Sequence, residues 1–158
     1  MRSMENAVQI DPTTATRLIH QAPDAVILAG TDGTIEVWNP AAERVFGVAA
    51  ADAIGQSLDM IIPERFREAH WTGFDRALND RATKYAGEAL ATRAQRADGE
   101  TIYVEMSFAI VLDDGGEAIG ALAHARDITE RFQQEREQRK KLADLEKTVA
   151  ELRQSSRT

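Results

Sequence analysis

The stretch that decides the fold is residues 60–76, which read MIIPERFREAHWTGFDR. Pro63 suits a first helical turn, because the N–H group that proline lacks would have no partner there. Phe66, His70 and Phe74 recur at helical spacing, which predicts a helix to about residue 79 with these side chains on its inward face. The histidine is then either a core residue bonded to the backbone or a ligand to a metal ion or haem iron.

Downstream of this helix the pattern is that of β-strands. Residues 102–110 alternate apolar and polar side chains, which predicts a strand with one face in the core. Two further strands are predicted at residues 85–96 and 119–128, and the Asp98-Gly99 dipeptide is a hairpin signal. Turns this tight join antiparallel strands.

Upstream of the helix, Asp32-Gly33 is a second hairpin signal, between strands predicted at residues 25–29 and 35–38. Short helices are predicted at residues 41–46 and 50–54, and another after the Asp11-Pro12 capping pair. Five antiparallel strands with several short helices make this an α+β domain.

Composition narrows the range of functions. The chain has 158 residues, 43% of them hydrophobic, which predicts one domain with an extension. A net charge of −7 argues against nucleic acid as a partner. The sequence contains no cysteine, so thiolate metal sites and cysteine nucleophiles are excluded. No apolar run reaches the roughly 18 residues of a membrane span, and no signal peptide opens the chain, so we expect a cytoplasmic protein without a membrane partner.

A set of short motifs resembles a known family. In chain order they are Asp32-Gly33, Trp38-Asn39-Pro40-Ala41-Ala42, Phe46-Gly47, Ile54-Gly55, Asp98-Gly99 and Arg126-Asp127-Ile128-Thr129-Glu130-Arg131. Together they resemble a PAS domain over residues 14–131. The resemblance implies the PAS fold, a five-stranded antiparallel sheet with short helices and a C-terminal coiled-coil helix, and a sensory role in signal transduction.

More narrowly, the stretch from Ile62 to His70 resembles the haem-binding PAS domains of FixL-type oxygen-sensor kinases and direct oxygen sensor phosphodiesterases. In that subfamily a histidine on this helix is the proximal iron ligand, and His70 falls on its position. Arg76 matches an arginine that pairs with a haem propionate, as a guanidinium can do through two parallel hydrogen bonds. The resemblance implies haem b as the cofactor and a diatomic gas as the ligand.

On the opposite side of the predicted pocket the sequence departs from that subfamily. The arginine that hydrogen-bonds bound oxygen is replaced here by Leu90, and a methionine that serves as sixth ligand is replaced by Glu88. Met106 and Phe108 fall where the subfamily keeps apolar residues. Without the distal donor, carbon monoxide and nitric oxide are as plausible as oxygen. Met106 is either a sixth iron ligand through its thioether or a flexible core residue.

Two other functions fit the same residues. A cofactor-free PAS module can serve dimerisation and protein interaction, and a small-metabolite receptor can use the same pocket. The small residues Ala86, Gly87, Ala121 and Ala123 favour a cavity or a closely packed helix. No phosphate loop, Gly-x-Ser-x-Gly or His-Glu-x-x-His motif occurs, so we do not predict an enzyme. The lack of cysteine also removes the flavin-adduct chemistry of light-oxygen-voltage domains.

The C-terminal segment carries a heptad pattern. Its apolar residues are spaced three, four and three apart, as at the a and d positions of a coiled coil: Leu142, Leu145, Val149 and Leu152. The charged residues on the other faces favour a two-stranded parallel coiled coil. The alternative is a single amphipathic helix that folds back on the sheet.

The junction before this segment matches a PAS signalling motif. In that motif an Asp–Arg pair couples sheet to helix, and the matching residues are Asp127, Thr129 and Arg131. We expect residues 1–13 to be a disordered N-terminal segment, residues 14–129 a PAS sensor domain with an N-terminal cap helix, and residues 130–158 a coiled-coil signalling linker. The resemblance implies a homodimer through the coiled coil and the N-terminal helix, with an output domain such as a histidine kinase if the chain is a fragment.

Overall fold

The computed structural model describes residues 9–156, which contain five α-helices and five β-strands. In chain order they are α1 (Pro12–His20), β1 (Ala25–Gly30), β2 (Ile35–Trp38), α2 (Pro40–Phe46), α3 (Ala50–Ala53), a 3₁₀-helix (Leu58–Met60), α4 (Glu64–Asp80), β3 (Leu90–Gln95), β4 (Thr101–Leu112), β5 (Ala118–Asp127) and α5 (Thr129–Ser155). The contacts divide the chain into one unit that ends at Asp127 and another that begins at Ile128. None of the helices within the described residues is long and apolar enough to cross a membrane.

The five strands form one antiparallel sheet in the order β2-β1-β5-β4-β3, which confirms the predicted α+β architecture. Strand β5 lies between β1 and β4, and its alanines at positions 121, 123 and 125 each pair with a larger residue of β4. Ala123, for example, lies opposite Phe108 of β4 and Ile27 of β1. The largest fully buried side chains are those of Phe46, Ile27, Ile35, Ile102 and Val104.

Two Asp-Gly turns shape the hairpins in the same way. The Asp32 carboxylate accepts a hydrogen bond from the Thr34 N–H at 2.9 Å, and Gly33 has φ +81°. Asp98 makes the equivalent 2.9 Å bond to the Glu100 N–H, and Gly99 has φ +84°. Glycine is required at both positions because other residues rarely adopt this left-handed conformation.

Asn39 connects three parts of the domain from a position that is only 2% exposed. Its Oδ1 accepts hydrogen bonds from the N–H groups of Val26 (2.8 Å) and Ala42 (3.0 Å), so it both caps α2 and holds β1. Its Nδ2 donates to the carbonyl oxygens of Ile19 (3.0 Å) and Asp24 (3.1 Å). One side chain therefore ties the end of α1 to the start of the sheet.

Replacing Asn39 with alanine is expected to lower the free energy of unfolding by about 3 kcal/mol or more, because buried N–H groups left without partners cost about 1–3 kcal/mol each. Urea denaturation measures the change. Ser57→Ala is a suitable control, because it removes a single 3.2 Å cap bond to the exposed Asp59 N–H. Equal losses in the two variants would contradict the connecting role of Asn39.

Three predicted boundaries differ from the structure. Pro63 is the N-cap of α4 rather than part of its first turn. The strand predicted at residues 85–96 begins only at Leu90, because residues 81–89 form turns in which Arg81 and Gly87 have positive φ. The proposed division between residues 13 and 14 falls inside α1, since Asp11 caps that helix. Residues 1–8, predicted to be disordered, lie outside the described residues.

Helix α5 is a single 27-residue helix. The four predicted seam residues are exposed on it, with Leu142 at 58%, Leu145 at 62%, Val149 at 45% and Leu152 at 63%. The predicted coiled coil would bury this exposed row against a second helix, and it stays a prediction.

Candidate functional site

His70 lies on α4 in a half-buried position between two aromatic rings. Its imidazole meets the Trp71 ring edge to face, with 4.8 Å between centroids, and lies 5.9 Å from the Phe74 ring. The Nδ1 atom is buried and has no hydrogen-bond partner among the described residues. The reading of His70 as a core histidine bonded to the backbone is therefore not supported at this nitrogen.

Burial sets the charge state of this imidazole. Desolvation lowers the pKa of His70 below its usual 6.5, although the nearby Asp59 carboxylate opposes the shift. His70 is consequently neutral at neutral pH. A neutral imidazole is the form that binds a metal ion.

The inward face of α4 differs from the one predicted. Phe74 is buried, but Phe66 is 38% exposed, with the Arg65 guanidinium 4.7 Å from its ring centroid. Trp71 takes the inward position instead and contacts the Phe74 ring at 5.2 Å. Arg67, Trp71, Phe74 and Leu78 are spaced four, three and four apart, so this stripe was present in the sequence as a second helical pattern.

Asp59 and Trp71 connect the 3₁₀-helix to α4. The indole Nε1 donates to Asp59 Oδ1 at 2.8 Å. Arg67 strengthens the same junction, because its guanidinium donates to the carbonyl oxygens of Asp59 (3.0 Å) and Ile62 (3.1 Å). These bonds hold the segment before α4 against the helix and fix the environment of His70. This cluster was not predicted from the sequence.

The sheet contributes three of the predicted pocket residues. Leu90 and Met106 are directly paired across β3 and β4. Phe108 follows on the same face of β4, because side chains alternate along a strand. All three are half-buried, and they share their face with the fully buried Val104. Apolar groups of this kind can line a pocket and exclude water from it.

The other two predicted pocket residues are not brought to this face. Glu88 is exposed in the turn before β3, where its N–H donates to the Tyr85 carbonyl oxygen. Arg76 is exposed on α4, six residues after His70 and therefore turned well away from it. The pairing of Arg76 with a haem propionate stays a prediction.

The signalling residues lie at the end of the sheet and the start of the last helix. Asp127 is the final residue of β5, Thr129 is the first residue of α5, and Arg131 lies in the first turn of α5. The Arg131 guanidinium is 3.8 Å from the Glu135 carboxylate, one helical turn away. The coupling of sheet to helix by Asp127 and Arg131 stays a prediction.

The residues around His70 fit the iron of a haem group better than a bare metal ion. Among residues 9–156 no three side chains of His, Asp or Glu come together as metal ligands. A porphyrin supplies four nitrogen ligands itself, so one neutral imidazole is enough from the protein. His70 carries a neutral imidazole, and its buried Nδ1 has no hydrogen-bond partner within residues 9–156.

Residues 19–133 match the family described as PAS fold, a range that holds the whole sheet and α4. The chain belongs to the PAS family. It is a PAS sensory domain of signal transduction. The PAS fold accounts for the single five-stranded antiparallel sheet.

Two curated relatives are sensor proteins. The chain is 30% identical over 132 residues to the sensor protein FixL of Bradyrhizobium diazoefficiens, covering 84% of this chain and 26% of that protein. It is 25% identical over 113 residues to the oxygen sensor protein DosP of Escherichia coli, covering 72% of this chain and 14% of that protein. The PAS domain thus corresponds to a small part of each relative.

A solved structure shows the same fold. An RNA-binding light-oxygen-voltage receptor matches with a TM-score of 0.67 and 24% identity, covering 88% of this chain and 39% of that one. At this identity the likeness establishes the fold alone. The nature of the ligand must come from the residues of this chain.

Proposed function

We propose that this PAS domain binds haem b through His70 and senses a diatomic gas. The observation that carries the proposal is the buried Nδ1 of His70, which has no hydrogen-bond partner among the described residues. A buried polar atom without a partner is unfavourable in a folded domain and commonly has a functional reason. Ligation of iron by the imidazole gives His70 such a reason, because a ring nitrogen that makes no hydrogen bond is available to bind a metal.

Each residue of the proposed pocket has a distinct task. His70 is the proximal ligand, and the rings of Trp71 and Phe74 surround its imidazole. Haem, when bound, supplies an iron atom that takes up a diatomic gas. Leu90, Met106 and Phe108 form the apolar side of the pocket, and Arg76 pairs with a propionate at its mouth.

The side chain at position 90 bears on which gas the pocket would favour. Leu90 presents no hydrogen-bond donor to a bound ligand, so the pocket does not favour oxygen over carbon monoxide or nitric oxide. Met106 is the only one of the three apolar residues with a sulfur that can bind iron, which makes it the candidate sixth ligand.

The second candidate function is a cofactor-free PAS module for dimerisation and protein interaction. The observation that favours it is the exposed row of Leu142, Leu145, Val149 and Leu152 on α5, which suits a second copy of the chain. Haem sensing through a homodimer that drives an output domain, such as a histidine kinase, uses the same row. A small-metabolite receptor would need the pocket but no iron.

Titration of the purified domain with haem separates these functions. We expect a Soret band that saturates at one haem per chain and persists through gel filtration. Reduction followed by carbon monoxide, nitric oxide or oxygen should then shift the band for each gas. A protein that elutes without haem after the titration would overturn the haem proposal and leave the interaction module.

A further inference from the structure

We propose that Trp71 is the positioning residue for His70, and that Asp59 and the hairpin turn at Gly33 hold Trp71 in place. The inference rests on the proposed function, since it concerns how the ligand imidazole is oriented. The indole meets the His70 ring nearly perpendicularly, at 80° between ring planes and 4.8 Å between centroids. A perpendicular contact of this kind restricts the rotation of the smaller ring.

Asp59 is the first anchor of the indole. Its Oδ1 accepts the Trp71 Nε1–H bond at 2.8 Å, and a bond to a carboxylate is stronger than one between neutral groups. Asp59 is itself fixed by its backbone. Its carbonyl oxygen accepts from Arg67 at 3.0 Å, and its N–H donates to the Ser57 hydroxyl at 3.2 Å.

The turn between β1 and β2 is the second anchor. Gly33 is buried, and a Cβ atom added to it would overlap the six-membered ring of Trp71. The ring therefore occupies a notch that exists only because residue 33 has no side chain. The Gly33 carbonyl oxygen also accepts from the Leu58 N–H at 3.2 Å, which ties the turn to the 3₁₀-helix that carries Asp59.

The two anchors belong to one connected unit, and both hold the same indole. A displacement of Trp71 therefore frees the His70 ring without touching His70 itself. Groups that orient a metal-binding histidine typically change metal affinity by about 10–100-fold when they are lost. The competing possibility is that Trp71 only fills the core, in which case its displacement would lower stability and leave the His70 ring unchanged.

Gly33→Ala and Gly99→Ala form a matched pair that separates these possibilities. Both glycines follow an aspartate in the same kind of turn, with φ of +81° and +84°, so alanine strains the backbone equally. A Cβ at Gly99 meets nothing within 4 Å, whereas a Cβ at Gly33 displaces Trp71. We expect Gly33→Ala to weaken haem binding by about 10-fold or more, and Gly99→Ala by less than about twofold.

NMR of the haem-free domain gives a second readout. The indole ring current acts on the His70 ring protons, so Gly33→Ala should move their chemical shifts and Gly99→Ala should not. If Gly33→Ala fails to fold, Asp59→Ala takes its place, with Asp59→Asn as the variant that keeps the acceptor oxygen and the wild-type shifts. A wild-type domain that takes up no haem would overturn the proposed function, while these shifts would still decide the role of Trp71. Identical His70 shifts in both glycine variants, or in both Asp59 variants, would overturn the positioning role.

Discussion

Replacement of His70 by alanine is expected to abolish haem retention by the PAS domain. His70 supplies the only protein ligand proposed for the proximal side of the iron, at a bond length of about 2 Å that no neighbouring side chain can replace. Haem titration followed by gel filtration should recover haem with the wild-type domain and none with the variant. Added imidazole should partly restore binding by filling the vacated position.

His124→Ala is the matched control for this experiment. His124 is exposed on β5 and lies opposite Ser107 and Val26. Because side chains alternate along a strand, it lies on the opposite face of the sheet from its neighbours Ala123 and Ala125. It should therefore retain haem at the wild-type level. Equal spectra and stoichiometry for His70→Ala and the wild type would contradict ligation by His70.

The stability of the His70 variants carries separate information. If both ring nitrogens of a core histidine are hydrogen-bonded, replacing the residue lowers the free energy of unfolding by about 1–3 kcal/mol. Nδ1 has no partner among the described residues, so the loss of hydrogen bonds contributes nothing at that atom. We therefore expect His70→Leu, which keeps apolar volume, to leave the haem-free domain at least as stable as the wild type. A residue whose replacement does not destabilise the protein, although it is buried, is typical of a functional site.

Much of the fold follows from local sequence signals. The Asp32-Gly33 and Asp98-Gly99 turns fix two hairpins, and the alternation in residues 102–110 fixes the core face of β4. The strand at residues 85–96 was predicted too long, because its small residues carry no clear periodicity. A turn at residues 84–87, in which Gly87 has a positive φ, occupies its first part instead.

The site was harder to predict from the sequence than the fold, because its most important contacts join residues that are far apart in the sequence. Asn39 before a proline signals a helix cap, but its bond to Ile19 spans 20 residues and has no local signature. Trp71 lies on a helical stripe that the sequence shows as well as the stripe through Phe66. Only the packing of its ring on Gly33, 38 positions earlier, decides which stripe faces inward.

Dimerisation through α5 is the other feature for which we expect a large effect. In a parallel coiled coil Leu145 and Leu152 occupy d positions that face their counterparts in the second chain. Changing both to aspartate would place four carboxylates in the seam of the dimer. Burying an unpaired carboxylate costs several kcal/mol of free energy, which is more than the remaining apolar contacts of this short coiled coil can provide. We expect the double variant to sediment as a monomer where the wild type is a dimer.

Ala143→Asp together with Ala150→Asp provides a control with the same added charge. Both alanines are exposed and lie at b positions, one residue beyond Leu142 and Val149 on the outer side of the coiled coil. Because the same two carboxylates per chain stay in water there, the control should remain dimeric. Loss of the dimer in both variants would indicate a general effect of charge on α5. A dimer that persists in both would move the main interface to α1, whose Leu18 and Ile19 are exposed at 58% and 40%.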